Sequence, residues 1–202
     1  MQRTETKFLL TREEIEYFFK EKNLYETYAK RKIFSVYFDT DDFKDFYDSE
    51  EGTVPRKKIR FRTYDYFENI KNQEIDGQIE VKKTLTHNRE KKVINIKDNI
   101  GNIFSLMSNF FDKPRYPKII ISYDRRYFID VHKDRFTLDK NIRYYVYNNS
   151  NFLKPYYIDD KNILEFKSEK ILYNENSTFD FLEAYKVRFS KYCEGIKKVY
   201  SL

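Results

Sequence analysis

Very little in this chain interrupts it. Four glycines and four prolines are spread over 202 residues, with no Gly/Ser-rich linker, no repeat of fixed period and no block of one charge. That excludes beads joined by a flexible tether and predicts one continuous domain over residues 1–202. A single cysteine, Cys193, excludes an intramolecular disulfide framework and is compatible with a reducing compartment. No apolar run approaches the roughly 20 residues that cross a bilayer. The charged opening MQRTETKF does not read as a secretory leader, so a cytoplasmic protein is expected. Only two histidines occur, His87 and His132, too far apart to have metal-ligand spacing.

What is abundant is aromatic and charged. Nineteen Tyr and nineteen Phe sit within a 40% hydrophobic fraction, enough for a sizeable core. Charged residues make up 36%, with 39 basic against 33 acidic, a net charge of +6 and a pI near 9.0. The sign favours an anionic partner: phosphate, nucleic acid or a membrane surface. A generally lysine-rich composition would produce the same net charge, so the arrangement of charge has to decide.

Alternating segments dominate. Strands are expected at Arg3–Leu10, Lys30–Thr40, Arg56–Asp65, Gln78–Thr86 (with Gly77 at its start), Glu90–Ile96, Pro117–Asp130, Asp134–Tyr147 and Lys161–Lys170. Thr11 and Glu14 stand at capping-box spacing before IEYFFKEK and predict a helix there. Shorter helices are expected in DDFKDFYDS, at Asn99–Phe111 and from Thr178 onward, with Ser190 as an N-cap. About eight strands, following one another too often for a doubly wound parallel sheet, predict an antiparallel α+β fold.

The charge arrangement is clearest in KKIRFRTYD, Lys57 to Asp65. Lys58, Arg60 and Arg62 fall on one side of a strand, and Ile59 and Phe61 on the other. The same habit recurs. Glu5 shares a face with Lys7. Glu80 and Lys82 are backed by Ile79 and Val81, Arg135, Thr137 and Asp139 by Phe136 and Leu138, and Glu165 and Lys167 by Leu164 and Phe166. An antiparallel sheet with one wet and one dry face accounts for alternation alone. It accounts less well for polar faces built almost entirely of Arg, Lys and Glu, with acid and base at neighbouring same-face positions. If such a sheet closes into a barrel, the dry face lies against helices and the charged face lines the lumen. Unpaired buried cations are costly, so the lumen then needs a polyanion, with a divalent metal and water. Arg and Lys suit phosphate oxygens, and carboxylates suit Mg²⁺ or Mn²⁺.

Taken in order, R-x-E-x-K at the start, SVYFDT, RKKIRFR-x-Y, IEVKK, YDRR, RFTLD, ILEFK and FSKY resemble the VTC domain. This is the polyphosphate polymerase domain of the vacuolar transporter chaperone family, within the CYTH-like triphosphate tunnel metalloenzymes. The resemblance runs from about Arg3 to Ile196, and its strength lies in the order of the motifs. It implies a closed eight-stranded antiparallel barrel with flanking helices. It also implies transfer of the ATP γ-phosphoryl group to a growing polyphosphate chain with Mn²⁺ or Mg²⁺. By position it gives Lys7, Arg60, Arg62, Lys82, Arg125, Arg135 and Lys191 to the triphosphate and the product. Lys92 joins them in preference to Lys91, and Lys167 pairs with Glu165 or with phosphate. Glu165 would hold the metal, with Glu80, Asp139 and Glu5 as further metal or water-positioning candidates. No nucleic-acid partner is implied. The 202 residues contain neither an SPX-like sensor nor a membrane span, so a separate membrane protein is the expected partner, with the chain at the inner face of the membrane. Oligomeric state is left open.

A triphosphatase in the same tunnel differs only in acceptor, and a non-catalytic polyphosphate- or nucleotide-binding module only in lacking turnover. Glu165 weighs against the module, since a pure anion binder gains little from an interior carboxylate. A basic sheet for nucleic acid would need solvent-facing cations. Cys193 and the run Tyr144, Tyr145, Tyr147 read best as packing residues, and GIKKVY as a solvated helix face.

Overall fold

The computed structural model describes residues 4–64, 74–109, 113–147, 154–168 and 181–202. In chain order the elements are β1 (Thr4–Leu10), α1 (Arg12–Lys22), β2 (Tyr25–Asp39), α2 (Lys44–Glu51), β3 (Arg56–Thr63), β4 (Glu74–Thr84), β5 (Arg89–Asn99) and α3 (Ile100–Asn109). They continue with β6 (Tyr116–Ile129), β7 (Arg135–Val146), β8 (Tyr157–Asp159), β9 (Asn162–Ser168) and α4 (Lys191–Tyr200). The strand order is β1-β9-β7-β6-β2-β3-β4-β5, with β8 beside β7. Each pair whose register is defined is antiparallel.

Among the described residues this is an antiparallel α+β sheet with flanking helices, of nine strands rather than eight, and the strand path shows no pairing that closes it as the resemblance implied. β1 and β5 stand at the two ends of the strand path. The outer edge of β1 is occupied locally. Phe8 bridges to Lys186, the Leu9 amide donates to the Tyr185 carbonyl, and the Val187 amide donates to the Lys7 carbonyl. The stretch after Thr178, expected to be helical, is helical only at 181–183 among its described residues before α4, and 186–187 run along β1 instead. Arg3, Asp65, Phe110, Phe111, 169–170 and 178–180, included in expected elements, lie outside the described residues.

The contacts divide the chain into two compact units, interleaved in sequence. The first comprises Met1–Arg31, Tyr123–Ile142 and Asp159–Phe189, and the second Lys32–Ser122, Arg143–Ile158 and Ser190–Leu202. Each has its own core, built from the apolar side of its strands and one main helix. In the first, Ile15 and Phe18 of α1 pack among Phe8, Phe136, Leu164 and Phe166, with the Phe18 and Phe136 rings edge-on at 5.7 Å. In the second, Ile100, Ile103 and Met107 of α3 cover Val36, Phe38, Ile59, Phe61 and Ile79. The apolar side of the strands faces helices, as the alternation implied. Tyr144 is fully buried, Tyr145 and Tyr147 pack against the second core, and Cys193 is buried in α4, all packing residues as expected.

Local chemistry explains the helix starts. Thr11 caps α1 reciprocally: its hydroxyl accepts from the Glu14 amide at 3.2 Å, and Glu14 accepts from the Thr11 amide at 2.7 Å. Ser190 accepts from the Cys193 amide at the start of α4. The entry to α2 is held from outside the helix. Asp39 accepts from the amides of Asp45 and Phe46, both at 2.9 Å, and Thr40 from that of Lys44 at 3.0 Å. The Asp-Thr of SVYFDT therefore seats a helix.

Candidate phosphate-binding faces

In the second unit, the register across β3, β4 and β5 sets the polar side chains in rows. Lys58 lies opposite Lys82, and Lys82 opposite Lys91. The next row is Arg60, Glu80 and Val93, and the next Arg62, Gln78 and Asn95. These three rows hold five cations and one carboxylate. Neighbouring like charges on adjacent strands repel, so the lysine row is unfavourable without a counter-charge.

Glu80 supplies part of it. It is 1% exposed, and it accepts from Arg60 Nε at 2.7 Å, Lys91 Nζ at 2.9 Å and Arg62 Nη1 at 3.4 Å. Burial opposes its ionisation, but Arg60, Arg62 and Lys91 together hold the carboxyl at about 2. Arg60 also donates to the Tyr37 hydroxyl at 2.8 Å. Burial resists ionisation of that phenol, yet Arg60, Arg62 and Lys191 move it below its ordinary value. The Tyr37 ring stacks on Tyr192 of α4 at 5.1 Å and 17°. Tyr192 donates to Asp39, and Lys58 donates to Ser190 Oγ at 2.9 Å. The first turn of α4, including half-buried Lys191, is thereby fixed against this face.

In the first unit, β1, β9 and β7 form a second set of rows. Lys7 faces Glu165, which faces Thr137, and Glu5 faces Lys167, which faces Arg135. Glu165 is 5% exposed. Lys167 Nζ lies 2.6 Å from its Oε1, and Arg125 Nη2 lies 3.9 Å from its Oε2. Burial raises the Glu165 pKa, but Lys167, Arg125 and Lys7 outweigh it and hold the carboxyl well below the usual range. Arg125, buried in β6, forks onto Asp139 through Nε at 2.6 Å and Nη2 at 2.7 Å, with Tyr123 beneath the guanidinium. Lys7 donates to the Phe189 carbonyl at 2.8 Å and lies 3.8 Å from Glu5.

The expected residues therefore fall into two sets. Arg60, Arg62, Lys82, Glu80 and Lys191 belong to the second unit; Glu5, Lys7, Arg125, Arg135, Asp139, Glu165 and Lys167 belong to the first. Register sets one further expected residue apart from the others. Lys92 lies opposite Val81, on the other side of the sheet, and Lys91 is the residue beside Lys82 and Glu80. The two are adjacent in REKK, and only the β4–β5 pairing distinguishes them. Sequence reasoning also missed Tyr37 and Tyr192, whose roles depend on partners more than 20 and 150 positions away. It missed the buried pair Arg115–Asp45 as well, closed at 2.7 Å within the second unit.

Among solved structures, the PH1819 protein of Pyrococcus horikoshii OT3 has a similar fold, with a TM-score of 0.56 at 12% identity over 97% of this chain and 99% of that one. A proposed adenylate cyclase from Vibrio parahaemolyticus matches with a TM-score of 0.54 at 14% identity over 98% of both chains. These likenesses concern the fold alone. They support the antiparallel α+β sheet with flanking helices described above. The family model described as the VTC domain matches residues 2–200, and the chain belongs to that family. No curated protein matches it in sequence.

Proposed function

We propose that this chain is a metal-dependent polyphosphate polymerase that transfers the γ-phosphoryl group of ATP to a growing polyphosphate chain. The observation that carries this reading is the row Lys58, Lys82 and Lys91, flanked by Arg60 and Arg62 and met by one carboxylate. The register gathers five cations and one carboxylate in three adjacent rows, a charge pattern that suits an anion with many oxygens, and phosphate chains supply them at short, regular intervals. Lys7, Arg125, Arg135, Lys167 and Lys191 are assigned to the same task on their own elements. Phosphoryl transfer asks mainly for positioning and charge neutralisation. An attacking phosphate oxygen is already anionic and needs no base.

The donor set limits how a divalent cation would be held. Asp139 has both oxygens forked by Arg125, and Glu80 takes four N–H groups. No group of three or more His, Cys, Asp or Glu is gathered for a metal among the described residues. Glu165 remains the suited carboxylate, because one flexible lysine holds Oε1 and Oε2 meets Arg125 only at 3.9 Å. This fits Mn²⁺ or Mg²⁺ in the manner of sites with one or two carboxylates and phosphate oxygens as further ligands. Bound there, the ion would neutralise charge on the transferred phosphoryl group. Hydrolysis would need a carboxylate free to orient water. Glu80, locked among cations, is poorly placed for it, so the triphosphatase is the runner-up.

No helix among the described residues is long and apolar enough to cross a membrane. Delivery of product across one is assigned to a separate membrane protein, with this chain at its cytoplasmic side.

The deciding experiment incubates the purified chain with ATP and Mn²⁺ or Mg²⁺ and resolves the products on a gel. Long phosphate chains are expected. Orthophosphate alone would identify a triphosphatase, and tight polyphosphate binding without turnover a binding module. Glu165→Gln is expected to abolish turnover while retaining most anion binding, and unchanged turnover would refute the metal assignment.

A further inference from the structure

Thr137 lies in the middle of β7, directly across from Glu165, with Lys7 one strand beyond. It is 9% exposed, and its Oγ1 is buried with no hydrogen-bond partner among the described residues. A buried hydroxyl without a partner is a net cost to a fold. Valine has nearly the same shape, favours strands as strongly and lacks that cost. Nothing in the packing of β7 requires the hydroxyl, so its use has to come from the polar face onto which it projects.

We propose that Thr137 is a further substrate-positioning residue, its hydroxyl donating to a non-bridging phosphoryl oxygen of a phosphate chain held by Lys7, Lys167 and Arg125. This rests on the reading that the face binds phosphate. The neighbours favour an anion over a cation as the partner. Across the two central rows Thr137 is joined by Lys7, Lys167 and Arg135, against Glu165 and Glu5. Asp139 is taken up by Arg125. Phosphoryl oxygens only accept hydrogen bonds, and a threonine hydroxyl adds a neutral, directional donor between charged ones. It fixes where along the strand a phosphate sits without adding charge that would slow the release of product.

The test is calorimetric titration of the full chain with inorganic tripolyphosphate in EDTA, so that no metal contributes, with thermal melts of the ligand-free proteins alongside. Thr137→Val is expected to weaken binding about tenfold, the scale of one hydrogen bond to a charged group, and Thr137→Ser to stay within about twofold of wild type. The ligand-free melting temperature of Thr137→Val should equal or exceed that of wild type, since the variant removes an unmatched hydroxyl. If wild type binds and Thr137→Val binds equally well, the inference fails while the phosphate-binding reading stands. If both variants melt lower and bind weakly together, Thr137 is structural and the inference also fails. If wild type does not bind tripolyphosphate at all, the reading beneath it falls as well.

Discussion

Glu80 shows how much one side chain is asked to balance. Three cationic groups from two strands converge on it at 1% exposure. Removing one partner of a buried charge set leaves the others uncompensated, at a cost of about 3 kcal/mol or more. Glu80→Gln is therefore expected to lower the urea-unfolding free energy by about 3 kcal/mol at pH 7, and added tripolyphosphate should restore part of the loss. The pH dependence has a definite sign. The folded carboxyl titrates at about 2 against an ordinary value of 4.5. The unfolded state therefore takes up the proton first as pH falls. The stabilisation is complete above about 4.5 and fades as pH drops towards 2. Urea midpoints at pH 7 and pH 3 should show a larger acid loss for wild type than for Glu80→Gln. Glu165, likewise held below the usual range, adds to the loss in both proteins.

At the scale of elements, β3 and β4 are spaced by a residue with no side chain. Gly77 lies inside β4 rather than at its start. A Cβ there would come within 2.5 Å of the Phe61 ring and 2.6 Å of the Arg62 carbonyl. Gly77→Ala should therefore destabilise the protein by about 1–3 kcal/mol, the usual cost of overpacking, and the melting temperature checks it. The backbone that must shift carries Arg62, so anion affinity should fall with it. The same elements show what could be read in advance. α1 was legible to the residue because Thr11 and Glu14 are three positions apart and their bonds are local. Ser190 announced α4 for the same reason. The charged and apolar sides of β3, β4, β7 and β9 were legible because a strand repeats every two residues. Contacts with distant partners were not. β2 begins at Tyr25 rather than Lys30, β8 is a three-residue strand beside β7, and 186–187 follow β1. That Lys91, and not Lys92, lies beside Lys82 follows from the β4–β5 register, which no neighbouring residue encodes.

For the molecule as a whole, β2, β6 and β7 each begin in one compact unit and end in the other. We propose that the chain unfolds as one cooperative domain, because three strands run without a break from one unit into the other. A single calorimetric transition, with equal calorimetric and van't Hoff enthalpies, is the expected result, and two resolved transitions would refute it. The pairing of acid with base on both charged faces has a consequence for how a polyanion arrives. Proteins with bare basic clefts gather counter-ions from solution and release them on binding. Here Glu80, Glu165 and Asp139 occupy that place as tethered counter-ions. On the proposed function, a phosphate chain would have to displace these tethered carboxylates from their cations, and its arrival would resemble ion exchange on a resin whose exchangeable ions never leave the column. They would stay within reach to retake their cations when a product departed, and the faces would be reset without waiting for salt.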